Sequence, residues 1–219
     1  MNKKDIYKEK NYNYYSHIRH ELIQMVEGGG NKILDIGCGT YPYFLARTYF
    51  NQKFAIDQIP PKQAKGDIQW ATIDLNNQPT LPYADDYFDA VISVDAYEYF
   101  GESESYMDEK LAPLVKKGGI IAIAVPGVKN ELNGACPLEM SYSWTAEDLT
   151  SFHSCEWWRE LLSKSKKIEI ESVSEMQGFD EFWNDWLACD NEYAVRDRPA
   201  MEAGAGKYMN FVSIIAKKK

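Results

Sequence analysis

The stretch Ile33-Leu34-Asp35-Ile36-Gly37-Cys38-Gly39-Thr40 decides how the rest of this 219-residue chain is interpreted. A short apolar segment runs directly into Gly-x-Gly, and glycines allow the positive φ angles and close backbone approach that a ligand-binding turn needs. In parallel sheets, ligands bind in a crevice beyond the carboxyl ends of the strands. The stretch therefore predicts a buried strand over Lys32–Ile36, a glycine turn and an adjoining site for a nucleotide-like cofactor.

Further apolar segments alternate with helical patterns along the chain. Strands are predicted at Lys53–Ile56, Gln69–Ile73, Phe88–Val94, Ile120–Val125, Lys167–Val173 and Tyr208–Lys217, and helices at Tyr14–Glu27, Glu104–Val115, Glu147–Lys164 and Phe179–Tyr193. The first five strands are near-continuous apolar runs, which is typical of a parallel sheet buried on both faces. Pro126 is expected to stop the fifth strand, and Arg198–Gly206 is expected to be a polar loop.

The predicted fold class is α/β, with a seven-stranded, mostly parallel sheet, an antiparallel last strand, helices on both faces and a helical cover. We expect a single domain over 1–219. Within it, an N-terminal cap helix lies in 1–30, a cofactor-binding core in 31–126, a substrate cover with the sixth strand in 127–207, and the last strand in 208–219.

Charge and composition limit the partners that this chain can have. Lys and Arg total 24 against 33 Asp and Glu, so the net charge is −9, which disfavours nucleic acid and anionic membrane surfaces. Two acidic blocks, 83–109 and 171–202, hold nine acids each, and the second also contains Arg196 and Arg198. The four cysteines form no CxxC pair, and no apolar run is long enough to span a membrane. A cytoplasmic monomer or homodimer is expected.

The glycine turn lacks the marks of a phosphate-binding loop. The third glycine of the dinucleotide pattern is missing, and no Gly-Lys-Ser/Thr follows. Asp35, just before the turn, would repel a pyrophosphate but suits a ligand with a cationic end. Acids also end the next three predicted strands, at Asp57, Asp74 and Asp95. One such acid is often only a turn residue, whereas several together favour a cofactor site.

In order along the chain, these segments resemble the class I S-adenosylmethionine-dependent methyltransferases. LDIGCGT at 34–40 is similar to the family's first motif, and LPYADDYFDAV at 81–91 and the Gly118-Gly119 turn also match. The resemblance covers residues 14–126 and is closest to small-molecule enzymes of the methyltransferase type 11, ubiquinone-biosynthesis-like group. It implies a Rossmann-like fold and S-adenosyl-L-methionine as the cofactor.

The resemblance also implies roles for individual residues. The turn would hold the cofactor through Asp35, Gly37, Cys38 and Gly39, and Asp57 would take both ribose hydroxyls. Asp74 and Leu75 would read adenine, and Val94 and Asp95 would line the same site. Tyr15 and Arg19 would fold over the cofactor and meet its carboxylate. The chain departs from the family at Tyr41, where a third glycine is usual, and at Tyr99, where a histidine is common.

Methyl transfer needs mainly alignment of the acceptor and exclusion of water, and a base only if the acceptor must lose a proton. His153 and Glu98 are the candidate catalytic residues. His153 lies in the segment FHSCEWWR at 152–159, which is similar to a bacterial subgroup of these enzymes. A packing or helix-capping role for this segment stays equally open, since Ser154 is a good N-cap. Three unpaired histidines make a metal centre unexpected.

The sequence thus predicts methyl transfer to a small-molecule acceptor. Three alternatives stay open: an RNA or protein methyltransferase of the same fold, a non-catalytic S-adenosylmethionine-binding regulator, and a nicotinamide-dependent oxidoreductase. The two acidic blocks suggest a further hypothesis, that the substrate mouth favours neutral or cationic acceptors, although a solvated acidic face is the simpler explanation of both blocks.

Overall fold

The computed structural model describes residues 26, 30–39, 45, 48–60, 67–188 and 190–219. Some of the predictions concern residues outside these ranges. The N-terminal cap helix, apart from residue 26, lies outside them, and so do Tyr15, Arg19 and Tyr41. These points stay predictions, and the architecture below is that of the described residues.

Seven strands form one sheet in the order β3-β2-β1-β4-β5-β7-β6. Strands β1 to β5 pair in parallel, and β7 runs antiparallel to both of its neighbours, β5 and β6. This confirms the predicted α/β class and the antiparallel last strand. The strands span Gly30–Ile36 (β1), Phe50–Asp57 (β2), Ile68–Thr72 (β3), Phe88–Val94 (β4), Val115–Val128 (β5), Ile168–Glu175 (β6) and Met209–Lys218 (β7).

Helices cover both faces of the sheet, as the apolar strands require. Alternate residues of β1 point to opposite faces, so that Ile33 joins one buried cluster and Leu34 the other. Helix α1 (Cys155–Ser163) packs into the Leu34 cluster through Trp158, whereas α2 (Phe179–Leu187) and α3 (Glu192–Glu202) pack into the Ile33 cluster. In the described ranges, no helix is long and apolar enough to cross a membrane.

Several short helical turns connect the main elements. The predicted helix at Glu104–Val115 is shorter than expected, because a π-helical turn gives way to a 3-10 turn containing Pro113, and β5 begins at Val115. The turns are Tyr97–Tyr99, Met107–Leu111, Ala112–Leu114, Met140–Tyr142 and Ala205–Lys207.

The prediction that Pro126 ends the fifth strand is wrong. β5 continues through Pro126 to Val128 and pairs with β7 along this whole stretch. The pairing with β4 ends earlier, at Val94 and Ala124. Because Pro126 lies where β4 no longer borders β5, its missing N–H breaks no hydrogen bond on that side of the strand.

The helix predicted at Glu147–Lys164 begins eight residues later than expected, at Cys155. Ser154 caps it, since its side-chain oxygen accepts a hydrogen bond from the Trp157 N–H at 3.2 Å. Before the cap, His153 is extended and forms a bridge with Gly127 of β5. The residues between are therefore held by tertiary pairing and a local turn instead of continuing the helix.

The segment after β6 holds two helices where one helix and a loop were predicted. α2 ends at Leu187, and α3 begins after Asn191, whose side chain accepts the Tyr193 N–H. α3 then continues through Pro199 to Glu202, inside the predicted loop. Just beyond that proline, the Ala200 N–H donates to the Ser143 side chain at 3.0 Å. A tertiary hydrogen bond thus supports the helix where the proline weakens it.

Asp89 ties three strands together at the end of the sheet opposite the glycine turn. Its carboxylate accepts the N–H groups of Asn31 and Lys32 and pairs with the Lys116 ammonium at 2.6 Å. Although partial burial acts to raise it, these donors hold the pKa of Asp89 below its ordinary value.

We expect Asp89→Asn to lower the free energy of unfolding by about 2 kcal/mol, because charge-assisted hydrogen bonds at the starts of β1 and β5 are weakened. Denaturant unfolding at neutral pH measures the change. The loss relative to wild type should shrink as pH falls through the pKa of the native carboxylate, because the wild-type carboxyl then also becomes neutral. A difference that is the same at pH 3 and pH 7 would contradict this account.

Candidate cofactor and active site

The glycine turn after β1 is bound to the end of β2 through its own N–H groups. The N–H groups of Gly37 and Cys38 both donate to the Ile56 carbonyl, at 2.8 and 3.1 Å. The Gly39 N–H donates to the Asp57 carboxylate at 2.8 Å. Three successive donors are therefore used inside the protein, so this turn does not present the N–H cradle that phosphate-binding loops use.

The two glycines of the turn are needed for different reasons. Both have positive φ angles, +73° at Gly37 and +66° at Gly39. A Cβ on Gly37 would overlap the Cβ of Ala96, so here the backbone of one segment packs against the next. A Cβ on Gly39 would meet no atom of the described residues within 4 Å. The second glycine thus leaves room for a ligand.

Asp57, the last residue of β2, is held with its carboxylate in a fixed orientation. One oxygen accepts the Gly39 N–H, and the other accepts the Ile59 N–H at 2.9 Å. The carboxylate lines the cavity next to Gly39, and each of its oxygens keeps a second lone pair for a ligand hydroxyl. This geometry suits the vicinal hydroxyls of a ribose.

A cavity of about 250 Å³ opens beside the turn, beyond the carboxyl ends of β1, β2 and β4. Its wall combines two carboxylates with apolar side chains and backbone. The described lining residues are Gly37, Gly39, Asp57, Gln58, Ile59, Leu75, Asn76, Asp95, Ala96, Tyr99 and Phe100. Five of the predicted cofactor residues are thus brought together here: Gly37, Gly39, Asp57, Leu75 and Asp95.

The other described cofactor candidates do not belong to that lining. Asp35 is buried in β1, between Ala55 and Ile92 of the flanking strands. The buried Cys38 donates its thiol to the Gly39 carbonyl, and Val94 is buried in β4. These three residues shape the wall from behind.

Asp74 also stands apart from its neighbour Leu75, which lines the cavity. The Asp74 carboxylate accepts the N–H groups of Asn76 and Asn77 and the side-chain amide of Asn77 at 2.8 Å. The Asn77 side chain and then its N–H lower the pKa of Asp74. The structure places this carboxylate in a turn, and its predicted contact with adenine stays a prediction.

Asp95 and Glu98 form a carboxyl pair at the end of β4. Asp95 has a φ of +53°, and its N–H donates to the Ala124 carbonyl of β5 at 2.8 Å. Glu98 is 1% exposed, and neither of its carboxyl oxygens meets a hydrogen-bond donor. Burial, followed by the adjacent negative charge of Asp95, raises the pKa of Glu98 well above its ordinary value. Burial and the neighbouring charge thus both favour the neutral form of Glu98.

His153 lies away from this cavity, between two carboxylates. Its Nδ1 is 3.1 Å from Glu131 and its Nε2 is 3.4 Å from Glu102. The ring stacks on Trp157 with centroids 3.5 Å apart. Glu131 also accepts the Ser154 N–H; although burial acts to raise it, this bond and the histidine hold the pKa of Glu131 below its ordinary value. The cluster joins the segment after β5 to the start of α1.

A second cavity of about 310 Å³ lies in the segment that follows β5. Its wall is mostly apolar and includes Glu131 and His153 as its ionisable groups. The described lining residues are Glu131, Leu132, Asn133, Gly134, Ala135, Ala146, Leu149, Thr150, Phe152, His153 and Trp157. The two cavities are linked by one stretch of chain, because Tyr99 and Phe100 line the first and Glu102 contacts His153 of the second.

The aromatic side chains of the predicted substrate cover divide between the core and the second cavity. Trp144, Trp158, Phe182, Trp183 and Trp186 are buried in the core, whereas Phe152 and Trp157 line the second cavity. Sequence reasoning did not select Glu131, Ala96 or Phe100 as site residues. Glu131 lies in the predicted substrate cover, but only the folded chain shows that its carboxylate contacts His153 and Ser154.

Comparison with known proteins finds a family match over this part of the chain. A protein-family profile described as a methyltransferase domain matches residues 34–123, which contain the glycine turn, Asp57, Leu75 and Asp95. Residues 34–123 of this chain are thus similar to a methyltransferase domain. S-adenosylmethionine is the cofactor of such domains.

Among curated proteins, the chain is 26% identical over 158 residues to methyltransferase GfsG of Streptomyces halstedii. The match covers 67% of this chain and 56% of GfsG, so the chain spans about half the length of that relative.

Solved structures share the fold of this chain at low identity. The geranyl diphosphate C-methyltransferase of Streptomyces coelicolor, in complex with S-adenosyl-L-homocysteine, superposes with a TM-score of 0.66 at 12% identity, over 93% of this chain and 77% of that one. A Haloferax volcanii complex of the Trm112 activator with a methyltransferase superposes with a TM-score of 0.63 at 18% identity, over 98% of this chain and 92% of that one. The [4+2]-cyclase SpnF superposes with a TM-score of 0.59 at 21% identity, over 90% of this chain and 80% of that one.

We expect His153→Ala to lower the free energy of unfolding by about 2 to 3 kcal/mol, because two carboxylate contacts and a stacked ring are lost. Donor affinity should stay within about twofold, since His153 does not line the cofactor cavity. Denaturant unfolding and calorimetric titration with S-adenosylhomocysteine measure the two quantities. An unfolding free energy equal to that of wild type would show that the cluster does not stabilise this segment.

Proposed function

We propose that this protein transfers the methyl group of S-adenosylmethionine to a small-molecule acceptor. The observation that carries the proposal is the cavity at the carboxyl ends of β1, β2 and β4. There the Gly39 side-chain position is open, and the carboxylates of Asp57 and Asp95 face the same space.

The wall residues fit this cofactor better than a pyrophosphate cofactor. Asp57 is oriented for ribose hydroxyls, and Leu75 and Ile59 offer apolar surface for a base. Asp95 suits the cationic methionine end. A dinucleotide would instead meet two carboxylates and a turn whose N–H groups already have internal partners. This disfavours a nicotinamide-dependent oxidoreductase.

The chemistry needs little covalent help from the protein. When bound, S-adenosylmethionine supplies a methyl group that is already activated on a sulfonium. The chain's own residues hold and align the cofactor. Asp57 accepts hydrogen bonds from its hydroxyl groups, and Gly39 leaves the space beside Asp57 open. Asp95 supplies a compensating negative charge. Tyr99 and Phe100 lie on the same wall and would limit the access of water to the reacting atoms.

The second cavity supports a small acceptor. At about 310 Å³ it has the size of a small-molecule site, and its wall is mainly apolar with a few polar groups. The chain's net charge of −9 opposes a phosphate-rich acceptor such as RNA. We extend the proposal to acceptors that are neutral or cationic, since Glu131 and Glu102 are the charged side chains nearest to His153 in this region.

Calorimetric titration of the purified protein with S-adenosylmethionine, S-adenosylhomocysteine and NAD tests the proposal directly. We expect both sulfur ligands to bind and NAD to bind at least about 100-fold more weakly. Methyl transfer is then assayed on matched amines, phenols and carboxylic acids. Tighter binding of NAD would overturn the proposed cofactor, and donor binding without turnover on any acceptor would favour a regulator.

A further inference from the structure

Glu98 is a buried carboxyl group that has no role in the proposed steps of cofactor binding and methyl transfer. It lies in the 3-10 turn Tyr97–Tyr99, directly after the strand end that forms the cavity wall. Both of its carboxyl oxygens are buried and lack a donor. An ionised carboxylate in such a place costs several kcal/mol, so a buried carboxyl group without donors keeps its proton instead.

Asp95 is the group that can accept this proton as a hydrogen bond. Glu98 lies three residues after Asp95, in the 3-10 turn that directly follows it, and the negative charge of Asp95 helps to raise the pKa of Glu98. Two neighbouring carboxyl groups in a poorly hydrated site do not both ionise. Because Glu98 is buried and Asp95 is only partly so, the proton stays on Glu98 and the negative charge on Asp95.

The backbone holds Asp95 at the cavity wall. Its φ of +53° is in the left-handed region, and the N–H bond to Ala124 secures that conformation. Ala96, the next residue, packs against Gly37, whereas Asp57 lies at Gly39. Asp95 therefore faces the Gly37 end of the cavity, next to the end that Asp57 equips for a ribose.

We propose that Glu98 is a positioning residue that donates its carboxyl O–H to Asp95 and so keeps one oriented, ionised carboxylate facing the cationic end of the methyl donor. This inference rests on the proposed function. No proton is transferred in this role: the O–H bond of Glu98 stays intact, and Asp95 stays deprotonated. The arrangement also gives the cavity one negative charge at this end instead of two.

The other charged groups in this region leave the assignment intact. The negative charge of Glu102 also favours the neutral form of Glu98. Glu102 is itself paired with His153, which in turn meets Glu131. The carboxylates that contact His153 are thus those of Glu102 and Glu131.

The test compares Glu98→Met with Glu98→Gln. Methionine fills a similar volume without a donor, whereas glutamine keeps an N–H donor for Asp95. We expect Glu98→Met to remain folded, with an unfolding midpoint at or above that of wild type, yet to bind S-adenosylmethionine about tenfold more weakly, because Asp95 loses a hydrogen bond to its charged form. Glu98→Gln should bind within about threefold of wild type.

A merely structural role for Glu98 predicts a different pattern. The midpoint would then change while the affinities of both variants stayed equal to that of wild type, and this result would overturn the inference. Failure of the wild-type protein itself to bind S-adenosylmethionine would instead overturn the proposed function.

A second measurement on the wild-type chain is independent of how the variants fold. Carbon-13 NMR of glutamate carboxyl groups should show one signal, absent from Glu98→Gln, that stays protonated at pH 7. An ionised Glu98 at that pH would overturn the inference.

Discussion

Gly37→Ala is expected to abolish measurable donor binding and to lower the free energy of unfolding by about 2 to 4 kcal/mol. Two causes act together. The residue has a φ of +73°, where alanine is strained, and the added Cβ would overlap Ala96. Relief of that overlap must move the turn away from the start of the Tyr97–Tyr99 segment. The move would displace Asp95 and the Gly39–Asp57 hydrogen bond, and with them both polar ends of the cavity.

Gly118→Ala is the matched control for this prediction. Gly118 has nearly the same φ, +76°, but a Cβ there meets no atom within 4 Å, and the residue is remote from the cavity. This variant should lose about 1 kcal/mol through backbone strain alone and keep wild-type donor affinity. Denaturant unfolding and calorimetric titration with S-adenosylhomocysteine measure both proteins. Equal losses of affinity in the two variants would show that strain, and not the contact with Ala96, sets the shape of the site.

Asp57→Ala is expected to weaken donor binding by about 100-fold, which corresponds to about 2.7 kcal/mol. The carboxylate would supply two charge-assisted hydrogen bonds to ribose hydroxyls, and it also anchors the Gly39 and Ile59 N–H groups. Loss of those anchors loosens the turn as well, so S-adenosylmethionine and S-adenosylhomocysteine should be affected alike, because both carry the ribose.

Asp89→Asn serves as the control for Asp57→Ala. It also removes an aspartate that accepts two backbone N–H groups, but at the opposite end of the sheet. It should lose stability and keep donor affinity, whereas Asp57→Ala should lose mainly affinity. A dissociation constant of Asp57→Ala equal to that of wild type would remove Asp57 from the ribose site.

The strands show how far local pattern extends. Apolar runs ending in Asp57 and Val94 predicted β2 and β4 to within a few residues, because burial on both faces leaves little choice of residue type. The errors arose where tertiary contacts replaced local rules. Pro126 continues a strand because no neighbour needs its N–H on one side, and Pro199 lies in a helix that Ser143 supports from outside.

The site shows the same division. Gly37, Gly39, Asp57 and Asp95 could be selected from sequence because each follows a strand end, and the carboxyl ends of parallel strands meet at one edge. Position along a strand does not determine whether a carboxylate turns toward the cavity. Asp57 does so, whereas Asp74, also at a strand end, closes a turn with Asn76 and Asn77.

The sequence by itself therefore determined the α/β class, the parallel core and the glycine turn with acids at the neighbouring strand ends. These features depend on residue type and on spacing along one segment. Only the tertiary structure decided which acid is buried, which N–H groups of the turn already have partners, and that His153 pairs with Glu131 and Glu102. Those properties depend on burial and on partners far away in the chain. The −9 net charge says nothing of whether Glu98 carries a proton; its depth in the fold and the neighbouring Asp95 decide that.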